Sequence, residues 1–149
     1  MRIERTINSP EETRQLAAEF SEFLQPGETV AFYGDLGAGK TFFVKALCQV
    51  LETDHEATSP TFTIINQYQT AENIPVFHCD FYRLQSMGEV ANLGLDEYFY
   101  SEAICLVEWA DKIEPLLPEE YWRIDIKFVE GAPEKRTIII QKIGDANDE

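Results

Sequence analysis

Leu16, Phe20, Phe23 and Leu24 recur at i, i+4, i+7 and i+8, a spacing that lines one face of a helix. Just upstream, Ser9-Pro10-Glu11-Glu12 supplies a hydroxyl cap, a proline at the first helical position and a glutamate three residues after the serine. Pro26-Gly27 is expected to stop that helix, and Arg2–Ile7 ahead of it reads as a short strand. Thr29–Tyr33 is a compact apolar run typical of a buried strand, and Gly34–Thr41 is a glycine-rich turn. Phe43, Leu47, Val50 and Leu51 then fall on one face of a second helix. Further strands are expected at Ile64–Tyr68, Pro75–Cys79 and Ala103–Val107, with short helices around Met87–Leu93 and Leu95–Phe99. A hairpin follows: Trp122–Val129, a turn at Glu130-Gly131-Ala132-Pro133, then Arg136–Ile143. Strands alternating with helices before a terminal hairpin predict a single α/β domain with a mixed sheet over residues 1–143. Residues 144–149 read as a polar, acidic tail.

Charge narrows the picture. Among 149 residues, 12 Lys+Arg stand against 27 Asp+Glu, a formal net charge of −15. That balance argues against unaided binding to nucleic acid or to an anionic membrane, since both require a basic footprint. Apolar residues make up 44%, so the acidity coats a folded protein and does not signal disorder. No apolar run approaches the ~20 residues of a membrane span, and the opening MRIERTINSPEE carries charges where a signal peptide needs its apolar stretch. Cys48, Cys79 and Cys105 are widely spaced, lack zinc-ligand spacing and read as reduced, buried thiols. A soluble cytoplasmic protein is the expectation.

Gly34-Asp35-Leu36-Gly37-Ala38-Gly39-Lys40-Thr41 fits G-x-x-x-x-G-K-[ST] at every fixed position. Glycines let the backbone curl so that its N–H groups form a nest for phosphate oxygens, and the following helix presents its positive end to the same anion. Lys40 is a mobile charge that can follow the β- and γ-phosphates, and Thr41 offers a hydroxyl to Mg²⁺. The loop leaves an expected strand and opens an expected helix, as a nucleoside triphosphate site requires. Neither N-K-x-D nor D-x-x-G occurs, which favours ATP over a guanine nucleotide. The six arginines are scattered and form no visible kinase lid.

Hydrolysis needs a carboxylate to hold Mg²⁺ and a group to orient the attacking water. Two candidates end apolar strands: Glu108 after Ile104-Cys105-Leu106-Val107, and Asp80 after Val76-Phe77-His78-Cys79. Ser59-Pro60-Thr61-Phe62-Thr63 lies between them and the loop, and a hydroxyl there could meet the γ-phosphate as switch threonines do. His78 reads as a hydrogen-bonded core histidine, and His55 as a loop residue without a companion. Trp109 is open between core and exposed anchor. Arg83 could pair with a carboxylate or a phosphate.

GDLGAGKT, SPTFT, HCDFYRL, LGLDEYF and ICLVEWADKI occur in this order, and the chain closely resembles the TsaE (YjeE) family over about Ser9 to Pro118. That family comprises small bacterial ATPases of tRNA threonylcarbamoyladenosine biosynthesis. The resemblance implies a P-loop NTPase-like domain with a mixed, largely parallel sheet, binding ATP and Mg²⁺ and hydrolysing ATP slowly. It also implies a partner, the TsaB–TsaD heterodimer, which carries out the transfer to tRNA while the ATPase supports repeated turnover. Carried across, Asp35, Leu36, Gly37, Ala38, Gly39 and Lys40 cradle phosphates, and Thr41 and Glu108 bind Mg²⁺. Asp80 becomes the catalytic carboxylate and Thr61 the switch-like hydroxyl, with Ser9 and Thr13 as base-side contacts. The competing readings are a small-molecule kinase and a nucleotide-sensing module without useful catalysis.

Overall fold

The computed structural model describes residues 1–35, 37–57, 65–84, 86, 88–89 and 92–144. Its first half runs β1 (Arg2–Ile7), α1 (Pro10–Ser21), β2 (Thr29–Tyr33), α2 (Lys40–Val50), β3 (Ile65–Gln69) and β4 (Pro75–Asp80). Helix α3 (Leu95–Phe99), β5 (Ile104–Glu108), β6 (Tyr121–Val129) and β7 (Ala132–Ile143) follow. The seven strands form one sheet in the order β1-β7-β6-β2-β5-β4-β3. At its centre β6, β2, β5 and β4 run parallel. Antiparallel pairs flank them, β6–β7 and β7–β1 on one side and β4–β3 on the other. The mixed, largely parallel α/β sheet is therefore as expected, hairpin included.

Alternation sorts the core into two layers. Val30, Phe32, Val76, Ile104 and Leu106 face the cluster that buries α1 and α2, whereas Ala31, Cys79, Cys105 and Val107 face the one holding Leu95, Phe99 and Ile113. Strands covered on both faces favour apolar residues at successive positions, which is why Val30–Phe32 and Ile104–Val107 read as unbroken runs. Helix α1 docks through Leu16, Ala17 and Phe20, all buried, with Phe20 edge-on to Trp122 at 5.2 Å between ring centroids. Burying a side chain of that size contributes about 1.5–3 kcal/mol. Ser9 caps the helix by accepting the Glu12 N–H at 3.3 Å, and the Glu12 carboxylate reaches back to the Asn8 N–H.

Several boundaries differ from expectation. Helix α1 stops at Ser21, where the amides of Glu22 and Phe23 turn back onto the Glu19 and Phe20 carbonyls. Phe23 is consequently exposed, while Leu24 is buried beyond the helix end. On α2 the buried face passes through Phe43, Val44, Leu47 and Cys48, leaving Val50 exposed. Strands β4 and β5 each extend one residue further than expected, so Asp80 and Glu108 lie within the ladder rather than beyond it. Of the helix expected at Met87–Leu93, Met87, Val90 and Ala91 lie outside the described residues, as do Ile64 and residues 145–149. Between β6 and β7 the turn is shorter than expected. Val129 pairs with Ala132 but Phe128 pairs with Arg136, which bulges Pro133, Glu134 and Lys135 out of the ladder.

All three cysteines are free and buried. Burial pushes the Cys48 and Cys105 thiols up to about 12, which keeps them protonated and unreactive at neutral pH. Among the described residues no helix is long and apolar enough to cross a membrane.

Candidate functional site

The glycine-rich loop joins the end of β2 to the start of α2, at the carboxyl edge of the parallel strands where α/β sheets place ligands. A Cβ at Gly34 would stand 2.5 Å from the Ile126 carbonyl oxygen, so only glycine lets β2 pass β6 there. Gly39 takes φ 112° at the N-cap of α2 and contributes no side-chain cap, which leaves the first-turn amides available to an anion. Asp35 is exposed, and its carbonyl accepts the Ala38 N–H at 3.0 Å. Gly37 lies exposed on the loop and Ala38 is buried. Leu36 lies outside the described residues.

Parallel pairing sets Asp80 directly beside Glu108, both on the sheet face toward α2. The two carboxylates differ in their surroundings. Glu108 is 2% exposed: Oε1 accepts the Thr41 hydroxyl at 2.8 Å, and Oε2 lies 2.6 Å from Nε2 of the fully buried His78. Asp80 is half-buried, and its Oδ1 accepts the Tyr82 N–H at 3.0 Å. Burial raises the Asp80 pKa, reinforced by the charge of Glu108 and opposed by the Tyr82 N–H, His78 and Lys40. Lys40 donates to the Gly34 carbonyl and sits 3.6 Å above the centroid of the Trp109 ring. Burial lowers its pKa, while Glu108, Asp111, Asp80 and Asp35 hold it up.

Trp109 is half-buried and adopts φ 58°, a conformation that a bulky residue rarely takes. That turn carries its ring off the end of β5 and over Lys40, against Tyr82 at 4.9 Å between centroids. Gly37, Lys40, Thr41, Asp80, Glu108 and Trp109 line a single cleft of about 320 Å³. A second hollow adjoins it across Gly39 and Phe42, floored by Ile126 and Ile138 and edged by Ser9, Thr13 and Arg136.

The sequence-derived residues Lys40, Thr41, Asp80 and Glu108 thus converge, with Ser9 and Thr13 beside the neighbouring hollow. Thr61 and Ser59 lie outside the described residues. Arg83 is exposed, and His55 stands 4.0 Å from Asp54 on the surface. Sequence reasoning placed His78 in the core but missed that it reaches Glu108; the one polar residue within the β4 run was the available signal. Tyr82, Phe42 and Arg136 were missed as site residues. Among the described residues no group of three or more His, Cys, Asp or Glu side chains could hold a metal ion. Thr41 and Glu108 nonetheless present adjoining hard oxygens, a set that suits Mg²⁺ when phosphate oxygens and water complete the coordination.

A strand, a loop of this spacing and a helix, set in a parallel sheet with acids at the neighbouring strand ends, define a P-loop NTPase-like domain. The chain belongs to the TsaE family, whose model, described as threonylcarbamoyl adenosine biosynthesis protein TsaE, matches residues 7–138. It is 43% identical over 140 residues to the tRNA threonylcarbamoyladenosine biosynthesis protein TsaE of Bacillus subtilis strain 168, covering 94% of this chain and 85% of that one. The protein of the same name from Rickettsia bellii is 37% identical over 125 residues, covering 83% and 85%. The crystal structure of Bacillus subtilis YdiB superimposes with a TM-score of 0.77 at 35% identity, covering 99% of this chain and 89% of that one.

Proposed function

We propose that this chain binds ATP with Mg²⁺ and hydrolyses it slowly, as an accessory subunit of tRNA threonylcarbamoyladenosine synthesis acting on the TsaB–TsaD heterodimer. The observation that carries the ATPase reading is the 2.8 Å hydrogen bond from Thr41, in the first turn of α2, to Glu108 at the end of β5. It joins the hydroxyl that follows the phosphate loop to a strand-end acid, the pairing used to hold a nucleotide's magnesium. Family membership supports the pathway.

In this reading the amides around Gly37 and Gly39 take the phosphates, and Lys40 moves from the Gly34 carbonyl to the β- and γ-oxygens. Mg²⁺, when bound through Thr41 and Glu108, would neutralise phosphate charge. Asp80 orients the attacking water, and the raised affinity of this carboxylate for a proton suits that task. The hollow beside Ser9, Thr13 and Phe42 accepts the base. With a net charge of −15 the chain is not expected to bind tRNA by itself, so its effect on tRNA passes through the heterodimer.

Calorimetry tests the site. Lys40→Ala should weaken ATP binding by about tenfold or more, the worth of a charge-assisted phosphate contact. Unchanged affinity would remove the phosphate-loop assignment. Sedimentation with TsaB–TsaD tests the partner: binding should depend on the bound nucleotide and weaken in Thr61→Ala, while indifference to nucleotide would leave the coupling without support.

A further inference from the structure

Three features around Arg136 belong together: a bulged strand, a locked guanidinium and a peptide held between two glycines. The slip between β6 and β7 extrudes Pro133, Glu134 and Lys135 immediately before Arg136. Bulges of this kind re-aim the side chain that follows. Nη1 of Arg136 donates to the Pro133 carbonyl at 2.6 Å and to the Lys135 carbonyl at 2.8 Å, tying the head group to its own bulge. The Phe128 ring lies 4.3 Å from the guanidinium carbon. Nε is thereby directed at the phosphate loop, where it donates to the Ala38 carbonyl at 3.0 Å.

Ala38 sits between Gly37 and Gly39, whose φ values are 83° and 112°. The Gly37–Ala38 peptide is held within the loop, its N–H meeting the Asp35 carbonyl at 3.0 Å, whereas the Ala38–Gly39 peptide leads into a glycine of little conformational preference and gains an outside hold on its carbonyl. No cis peptide occurs among the described residues. In a trans unit the C=O and N–H point in opposite directions. A carbonyl of Ala38 drawn toward β7 therefore turns the N–H of Gly39 away from β7, and Gly39 is among the residues that line the cleft with Lys40 and Thr41.

We infer that Arg136 is a positioning residue of the phosphate loop, selecting from the hairpin the peptide orientation in which the Gly39 N–H, and not the Ala38 carbonyl, faces a bound phosphate. The inference rests on the nucleotide reading above. Without the arginine, the Ala38–Gly39 peptide is free to present a repulsive carbonyl to the anion.

The test compares substitutions that separate charge from hydrogen bonding. ATP affinity is measured by calorimetry for the unsubstituted protein, Arg136→Ala, Arg136→Gln and Arg136→Lys, each checked for folding by its thermal transition without nucleotide. Arg136→Ala is expected to bind about tenfold more weakly. Arg136→Gln has the same net charge as Arg136→Ala but keeps an N–H donor, and should recover about threefold of that loss. Arg136→Lys should fall short of wild type despite its charge. Equal binding by the Ala and Gln variants, with Lys matching wild type, would reduce Arg136 to a bare charge and overturn the inference. So would wild-type affinity in all three. If the unsubstituted protein failed to bind ATP, the nucleotide reading would fall separately. The orientation would then be judged from the Gly39 amide resonance of the nucleotide-free protein, which should shift in Arg136→Ala and hold in Arg136→Gln; an unmoved resonance in Arg136→Ala would refute it.

Discussion

Two acids end adjacent parallel strands and sit side by side in register, yet their surroundings are unlike. Glu108 is enclosed, with each oxygen claimed by a neighbour, Thr41 from α2 and His78 from β4. Asp80 is half open and takes one backbone N–H, that of Tyr82. A carboxylate held at both oxygens keeps its direction, which is what a metal-side ligand needs. A carboxylate with spare lone pairs and a raised pKa can meet a water and take its proton. Position along a strand made both acids candidates; their neighbours distinguish their surroundings, and the proposed roles follow that difference.

The largest expected effect is on stability. Glu108→Ala leaves Thr41 and the buried His78 without their partner and should cost about 2–4 kcal/mol. Asp80→Ala, at a half-open position, should cost less than about 1 kcal/mol. Urea denaturation of both variants checks the contrast, and equal losses would break it. Next comes chemistry. Asp80→Asn should slow ATP hydrolysis about a hundredfold while leaving Mg·ATP affinity nearly intact, whereas Glu108→Gln should chiefly reduce the gain in affinity that Mg²⁺ confers. Steady-state rates and calorimetry with and without Mg²⁺ decide this. If both variants lost binding equally, only a shared acidic site would remain.

The smallest effect concerns pH. Burial raises the Asp80 pKa in the folded chain, so its ionisation opposes folding. The opposition is absent below the unfolded carboxylate pKa of about 4 and grows as pH rises through the folded value. Asp80→Asn should therefore melt slightly higher at neutral pH without nucleotide, by about 1 or 2 °C once solvent access is allowed for. Thermal scans should show that gap closing as the pH falls toward about 4; a gap independent of pH would assign it to something other than ionisation.

The glycine-rich loop was legible because its pattern is local: the eight consecutive residues Gly34 to Thr41 carry every fixed position of the motif. Glu108 and Asp80 were legible as the polar ends of apolar runs. Their contrasting surroundings were not, because these depend on pairing. His78 meets Glu108 only once β4 lies parallel to β5 with His78 opposite Leu106, a register no single segment encodes. Arg136 was hidden for a similar reason, since its aim follows from a slip between two strands and its target lies 98 residues away. Phe23 and Val50 were placed on buried faces by periodicity alone, but one lies beyond its helix end and the other on an exposed side. Thr29–Tyr33 and Ala103–Val107, covered on both sides, declared themselves as compact apolar runs.

Strand β7 lies between β1 and β6, with Arg2 opposite Gln141 and Ile7 opposite Arg136. On a ribosome this sets an order of events. The first strand emerges and must wait, its edge unpaired, until residues 136–141 have been made. Contacts so distant along the chain close slowly, and an idle strand edge invites mispairing in the interval. The charges of Arg2, Glu4 and Arg5 along that edge discourage such pairing. The hollow edged by Ser9, Thr13 and Arg136 draws on both ends of the chain, so it is completed only when synthesis has passed the hairpin.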